Sequence, residues 1–307
     1  MIQRGIVRIG ISGWRYANWR GAFYPTGLPQ RRELEFASRK FPSIEINGTF
    51  YSLQRPDSFR RWAAETPDDF VFALKGGRFI THMRKLLGVE TAVANFFASG
   101  VLALENKLGP ILWQLPPQVK FNDPARMEAF FKLLPRSTRA AARLAKRCDD
   151  RLLAPGRSCL TCAVDLPLRH AIEVRHDSFQ TQSFLDMLRK HDIGLVVADT
   201  VEWPLMLDAT SDFVYIRLHG SEQLYHSGYE AQAIDLWARR VNGYASGTAV
   251  PTDDDRARHV GPRGPDGQLR DVFVYFDNDA QVRAPFDAQA LIARVEALQF
   301  AGSAFKT

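Results

Sequence analysis

The sequence predicts an α/β fold, a (β/α)8 barrel of the TIM type, on three observations. Eight short apolar runs rich in β-branched and aromatic residues recur along the chain. Nearly all are followed by a turn signal and then a stretch of helical period. The 307 residues accommodate eight such units within the usual span of that barrel. An open doubly wound sheet is the alternative arrangement of parallel strands and crossover helices.

The runs are Val7 to Trp14, Ile44 to Tyr51, Phe70 to Gly76, Pro110 to Leu115, Ala171 to His176, Gly194 to Asp199, Phe213 to Gly220 and Val272 to Asn278. Between them, helical period marks Arg32 to Lys40, Pro56 to Glu65 with proline suited to a first turn, Val89 to Leu104, Pro124 to Leu134, Ser183 to Lys190 and Glu230 to Asn242. Asp287 to Leu298 closes the chain as a last helix. After the sixth run, Glu202-Trp203-Pro204 interrupts the pattern, so one barrel helix is expected to be short or replaced.

Two stretches read as insertions in a single domain. Residues 136–167 begin with an Arg-rich helix (Arg139, Arg143, Lys146, Arg147, Arg151) and end in a Gly/Ser/Cys loop. Residues 243–269 are rich in Gly, Pro and Asp without apolar period and read as a mobile loop. Neither carries a core of its own.

Composition narrows the function classes. With 46% hydrophobic and 24% charged residues the chain is globular, neither disordered nor fibrous. The net charge of +6 permits an anionic ligand but lacks the dense basic stripes of dedicated nucleic-acid binders. The first residues, Met1 onward, hold no apolar run of signal-peptide length, and no segment approaches a membrane span, so the expected address is the cytoplasm without membrane contact. Three cysteines, an odd and sparse set, give no disulfide framework.

Strand parity locates a site. Alternate residues of a barrel strand face the helices and the lumen. In the fifth run Ile172 and Val174 face out, leaving Glu173 and Arg175 inward; in the second Ile44 and Ile46 face out, leaving Glu45, Asn47 and Thr49. In the third, Ala73 and Lys75 turn inward. Gln114, Asp199, Arg217 with His219, and Tyr275 with Asp277 are expected inward on the same ground. Most lie toward the C-terminal strand ends, where barrel enzymes place their active sites, while Gly10, Val71 and Phe273 fill the other end. Four acids and three bases converge in a nearly self-neutralised cavity. A purely structural ion-pair plug is disfavoured, because apolar replacements of buried ion pairs are often neutral or stabilising.

Several strings together carry a resemblance: Gly10-Ile11-Ser12-Gly13-Trp14, Glu45-Ile46-Asn47-Gly48-Thr49-Phe50-Tyr51, Phe72-Ala73-Leu74-Lys75-Gly76, the segment Ile111 to Pro117, Glu173-Val174-Arg175-His176 and Tyr275-Phe276-Asp277-Asn278. The chain resembles the DUF72 family, also called YecE-like, over roughly Val7 to Leu298. The resemblance implies a TIM-type barrel of unassigned biochemical function and supplies no catalytic residues.

The expectation is therefore an enzyme acting on a small anionic or sugar-like substrate by acid/base chemistry. Glu173, Lys75, Asp199 and His219 are the candidate catalytic groups. Glu45, Asn47, Gln114, Arg175, Arg217, Tyr275, Asp277, Asn278, Trp14 and Tyr51 are the candidate substrate contacts, with Ser12 as a polar lining residue and Trp14, Phe50 and Tyr51 either stacking a ligand or packing under helices. His82 and Arg84, on the loop after the third strand, could clamp an anion or simply be solvated. A less favoured alternative places a divalent metal on Glu45, Glu173, Asp199, His219 and Asp277, and the interleaved cations argue against it. Cys159-x-x-Cys162 with Cys148 and His170 has zinc-ligand types at no standard spacing. A non-catalytic binding or nucleic-acid-associated protein using the basic surface and the loop from Gly243 to Leu269 is the remaining, also less favoured, reading.

Overall fold

In the computed structural model, which describes residues 4–220, 227–253, 255–262 and 266–304, all eight apolar runs form parallel strands. We number them β1 (Val7–Ser12), β2 (Ser43–Ile46), β3 (Val71–Lys75), β4 (Leu108–Gln114), β5 (His170–Glu173), β6 (Ile193–Asp199), β7 (Phe213–Leu218) and β8 (Asp271–Phe276). Sequential strands are neighbours, and β1 closes the barrel against β8 with Val7 opposite Val272 and Ile11 opposite Phe276.

The helices follow their local signals. They are α1 (Glu33–Ser38), α2 (Pro56–Ala64), α3 (Glu90–Ala98), α4 (Pro124–Leu133), α5 (Thr138–Ala145), α6 (Gln182–Lys190), α7 (Ala231–Ser246) and α8 (Ala284–Ala304). Pro56 and Pro124 stand in first turns, where a missing N–H costs nothing. The Asp123, Ser137 and Thr181 side chains accept from the third backbone N–H after them, satisfying groups the helix itself leaves unpaired. No helix follows β6; the connection instead pairs Leu205–Met206 with Ala257–Arg258 as a two-residue ladder. The start of the Arg-rich stretch, with Arg139 and Arg143, folds as α5 and buries Ala141, Ala142 and Ala145, while Lys146, Arg147 and Arg151 lie beyond its end. Helix α7 takes the first four residues of the 243–269 stretch, and the described part of the remainder pairs with Leu205–Met206 through that ladder and packs Val250 and Val260 on the main core. Met1–Gln3, residue 254 and residues 263–265, over which parts of the leader and loop expectations fall, lie outside the described residues. No described helix is long and apolar enough to cross a membrane.

Two apolar layers result. The outer faces of the strands and the inner faces of the helices form the main core, while Leu112, Val196, Phe213, Tyr215, Phe273 and Tyr275, with small Ala73, Ala171 and Ala198, form a separate cluster inside the barrel. Gly10 is required where β1 passes β2, since a Cβ there would stand 1.8 Å from the Ser43 carbonyl oxygen. Tyr275, expected to touch substrate, instead belongs to this plug: it is fully buried, with its hydroxyl 2.6 Å from Ser43 Oγ.

The second run departs from expectation beyond Ile46. Residues 48–51 form one helical turn, so the alternation stops and Thr49 Oγ1 donates to the carbonyls of Ile46 and Lys75. This turn pins the end of β2 to that of β3.

Substituting Gly10→Ala should destabilise the chain by about 3 kcal/mol or more, because the clash is with backbone and overpacking cannot relax through a side chain. Urea unfolding monitored by circular dichroism measures it, with unchanged stability contradicting the closeness of β1 and β2.

Candidate active site at the C-terminal mouth of the barrel

Above the apolar plug lies a charged layer organised by Arg217, the last inward residue of β7 and wholly buried. Its Nε and Nη2 donate to the two Glu45 carboxylate oxygens at 3.1 and 2.9 Å, Nη1 to Glu173 Oε2 at 2.9 Å and Nη2 to Asp277 Oδ2 at 2.8 Å. Glu45 also accepts from Ser12 Oγ and Tyr215 Oη, both at 2.5 Å. Glu173 accepts from Gln114 Nε2 at 3.0 Å and from Arg175 Nε at 2.8 Å. Burial pushes the Glu173 carboxyl up, but Arg175 and Arg217 override it and hold the group well below the ordinary carboxylate range. Burial opposes the charge of Arg217 too, and Asp277, Glu45 and Glu173 more than restore it.

His219 is fully buried beside this layer, its Nδ1 3.2 Å from Asp277 Oδ2 and its Nε2 3.4 Å from Arg217 Nη1. Burial, and then the Arg217 charge, push its pKa down, so the imidazole is neutral. Trp203, in the connection that replaces a barrel helix, meets the His219 ring at 5.9 Å and stacks on the Arg175 guanidinium at 4.0 Å.

A cavity of about 800 Å³ opens above the layer, lined by Tyr16, Asn47, Phe50, Tyr51, Lys75, Arg78, His82, Met83, Gln114, Asp277 and Asp279. Of the sequence-derived candidates, Asn47, Phe50, Tyr51, Lys75, His82, Gln114 and Asp277 line it directly. Asn47 Nδ2 donates to Ser12 Oγ at 2.9 Å. Glu45, Glu173, Arg217 and His219 lie beneath, wholly enclosed, and Arg175 stands at the edge with a tenth of its side chain exposed. Lys75, 9% exposed, places Nζ 4.7 Å above the Phe50 ring, and no described carboxylate comes within 4.0 Å of it. Burial lowers its pKa to about 8, aided by Arg217 and opposed by Asp277, Glu45 and Glu173.

Three candidates lie elsewhere. Asp199 shares the outer face of β6 with Val197, the inward positions being Val196 and Ala198; it accepts from Trp237 Nε1 of α7 at 3.0 Å and meets Arg256 at 3.1 Å. Both faces of β6 are apolar, so polarity contrast could not assign its parity. Asn278 turns out of the barrel, its amide donating to Ser227 O at 3.0 Å and Asp287 Oδ2 at 2.8 Å. Trp14 packs under α2 and β3, 5.4 Å from Trp62 and 6.4 Å from Phe72, because Gly13 at φ +85° ends the alternation of β1. Without Asp199, and with Glu45, Glu173 and Asp277 committed to guanidinium, the metal-ligand set read from the sequence is not gathered at one point. Among the described residues no three His, Cys, Asp or Glu groups are arranged to hold a metal ion.

Asp279, Tyr16 and Arg78 escaped the sequence reading. Continuing the β8 alternation two residues past Asp277 reaches Asp279, so the signal existed, but the strand ends at Phe276. The turn after it is pinned: Asp279 O accepts from Asn18 Nδ2 at 3.1 Å and Val282 N at 3.1 Å, and Val282, a β-branched residue, sits at φ +59°. Such strain concentrates at functional sites. Burial and the neighbouring Asp277 charge push the Asp279 carboxyl well above its ordinary range, and its Oδ1 is shielded with no hydrogen-bond partner among the described residues. Asp277 goes the other way, because Arg217 and His219 outweigh its burial. Tyr16, also pushed up by burial and by Asp279, donates to Ser12 O at 2.5 Å. His82 arrives on a π-helical turn, Phe79–Met83, of the kind frequent at functional sites; burial, then Arg175 and Lys75, lower it to about 4.

A second cleft, of about 690 Å³, lies at the opposite end of the barrel around Arg8 and Phe273. Arg169 on its wall is paired with Asp212 and Asp271 at 2.8 and 2.7 Å. It offers a satisfied ion-pair surface rather than shifted groups facing open space.

Replacing Arg217 by Met should destabilise the fold by at least about 3–5 kcal/mol, since three buried carboxylates lose their common partner. Adding Glu45→Gln should recover part of the loss in denaturant unfolding. Equal stability of Arg217→Met and the parent would contradict the keystone role.

The fold and motifs have counterparts. A family model described as "Protein of unknown function DUF72" matches residues 8–304. The UPF0759 protein YunF of Bacillus subtilis (strain 168) is 29% identical over 117 residues, 36% of this chain and 40% of YunF. The UPF0759 protein YecE of Escherichia coli (strain K12) is 30% identical over 111 residues, 36% of this chain and 38% of YecE. The matched region thus spans well under half of either relative. Among solved structures, a DUF72 family protein from Thermotoga maritima MSB8 superposes with a TM-score of 0.69 at 21% identity, covering 95% of this chain and 99% of that one. A DUF72 family protein from Enterococcus faecalis V583 gives 0.64 at 16% identity over 95% and 96%. Both likenesses concern the barrel. With the family model spanning nearly the whole chain, this protein belongs to the DUF72 family of proteins of unknown function.

Proposed function

We propose that the protein is an enzyme that transfers protons on a small anionic or sugar-like substrate held at the C-terminal mouth of the barrel. The observation that carries this reading is the Asp277 and Asp279 pair. Two carboxyls on one cavity are driven in opposite directions, Asp277 lowered by Arg217 and Asp279 raised by burial and its neighbour. Environments that separate the pKa values of paired groups mark acid and base roles. Asp279 is then the acid, placed to donate into the cavity.

Two cations favour a negative substrate. Among the described residues neither Lys75 nor Arg78 has a carboxylate within 4.0 Å, their contacts being the rings of Phe50 and Tyr51. Oxyanions suit both groups through charge-assisted hydrogen bonds. Asn47 and Gln114 supply neutral polar contacts, and Tyr51, 65% exposed, forms the rim on which a sugar face or an aromatic group could stack. Glu173 and His219 act through the layer beneath, orienting Arg175, Gln114 and Asp277.

Inorganic phosphate, oxalate and a three-carbon sugar phosphate are the first probes. Saturating binding by one of them should raise the thermal midpoint, with a stabilisation of about 2.7 kcal/mol at a hundredfold excess over Kd. The rise should vanish in the Lys75→Met, Arg78→Met double variant. No response to any probe, or a response that survives in the double variant, would remove the anion site.

Asp279 yields a prediction of stability against pH. Its folded pKa is raised, so its contribution is fully present below the unfolded value near 4 and is lost as pH rises toward the folded value. Asp279→Asn, which has no proton to lose, should gain stability relative to the parent progressively from about pH 4 upward. Thermal unfolding of both proteins across that range tests the sign.

A further inference from the structure

A charged Lys75 suits an oxyanion, but among the described residues its placement beside carboxylates that are all committed elsewhere also suits a second role, as a free amine. Glu45, Glu173 and Asp277 all lie in the layer next to it, yet each is committed to Arg217, and none of them comes within 4.0 Å of Nζ. Among the described residues its contact is the Phe50 ring at 4.7 Å, which steadies an ammonium ion without accepting a proton. The next cation acting on it is Arg217, of like sign. An isolated buried ammonium is costly, and a desolvated lysine beside another cation is the arrangement in which a free amine becomes available as a nucleophile. Lys75 sits at the C-terminal end of β3 and lines the same cavity as Asp279, a carboxyl raised above its ordinary range.

We infer that Lys75 attacks a carbonyl carbon and forms an imine with an aldehyde or keto group of the substrate, whose anionic end lies at Arg78. The anionic end and the acid role of Asp279 rest on the function proposed above; the carbon–nitrogen bond rests on Lys75. In the first step the Nζ lone pair forms the C–N bond, the carbonyl π pair moves to oxygen, and Asp279 protonates that oxygen. In the second the C–O bond breaks. The carbonyl oxygen leaves as water with the two hydrogens lost from Nζ, one of them relayed through Asp279, and the carboxyl ends as it began. No oxidant or reductant takes part. The substrate class is accordingly an oxo acid or the open carbonyl form of a sugar phosphate.

The experiment is reductive trapping of the full-length protein with borohydride in the presence of glyoxylate, which carries both an aldehyde and an anion, or glycolaldehyde, which is uncharged. Peptide mapping by mass spectrometry reads the site. Lys75 should be the preferentially labelled lysine with both probes, and its labelling rate should rise with pH through about 8, where the amine becomes free. Arg78→Met should slow labelling by glyoxylate but not by glycolaldehyde, and Asp279→Asn should slow both. Labelling of surface lysines with Lys75 untouched at alkaline pH, in protein shown to be folded by circular dichroism, overturns the inference. Arg78→Met and wild-type protein, both folded, keep that outcome readable if Lys75→Met does not fold. The two readings fail separately: an oxyanion-induced thermal shift without trapping removes the imine alone, whereas trapping by glycolaldehyde without any oxyanion response retains the imine and removes the anionic substrate.

Discussion

Everything at the mouth of this barrel depends on one guanidinium. Arg217 reaches carboxylates from β2 and β5 and the one just beyond β8, with no solvent contact of its own. A planar fork with fixed donors is needed for that task, because a lysine offers a single point of charge. The arrangement has an energetic logic distinct from simple stabilisation. Buried ion pairs roughly recover their desolvation cost, so their value here lies in fixing where charge can and cannot be. Arg217 repels the next cation, while the Asp277 charge that it holds in place raises the cost of charging the next acid. Lys75 and Asp279 are the groups so affected, and both face open space.

The division of the lumen follows from the same economy of polarity. Toward the N-terminal strand ends, Phe213, Phe273, Leu112 and the paired rings of Tyr215 and Tyr275 fill the barrel with apolar volume. Tyr215 joins the two layers, its ring in the plug and its hydroxyl on Glu45. Water is thereby kept from the underside of the charged layer, and the shifted ionisations persist only because it is. The loops above carry what the strands cannot. The turn at Gly48–Tyr51 brings Phe50 to Lys75, the π-helical turn brings His82, and the strained turn at Val282 holds Asp279.

Much of this was legible in the chain. Alternation within β2, β5, β7 and the end of β8 contrasts bulky apolar with charged residues, so Glu45, Glu173, Arg175, Arg217, His219 and Asp277 could be assigned inward from sequence. The contrast disappears in β6, where both faces are apolar, and Asp199 was assigned to the wrong face. It also stops meaning anything once a strand ends. Trp14 and Asn278 follow strand ends and pack against helices and loops, while Asp279 returns to the cavity.

The sequence by itself determined the eight-stranded barrel and the gathering of opposite charges at one end, because residue period and polarity set which face of a strand is buried wherever the two faces differ in polarity. Only the tertiary structure decided which charges pair and which stay open. Glu45, Glu173 and Asp277 come from distant parts of the chain, and their claim on Arg217 is a matter of distances that close only when β1 meets β8. That closure leaves Lys75 beside an aromatic ring and Asp279 beside a carboxylate, and burial then sets their protonation in a way no linear pattern encodes.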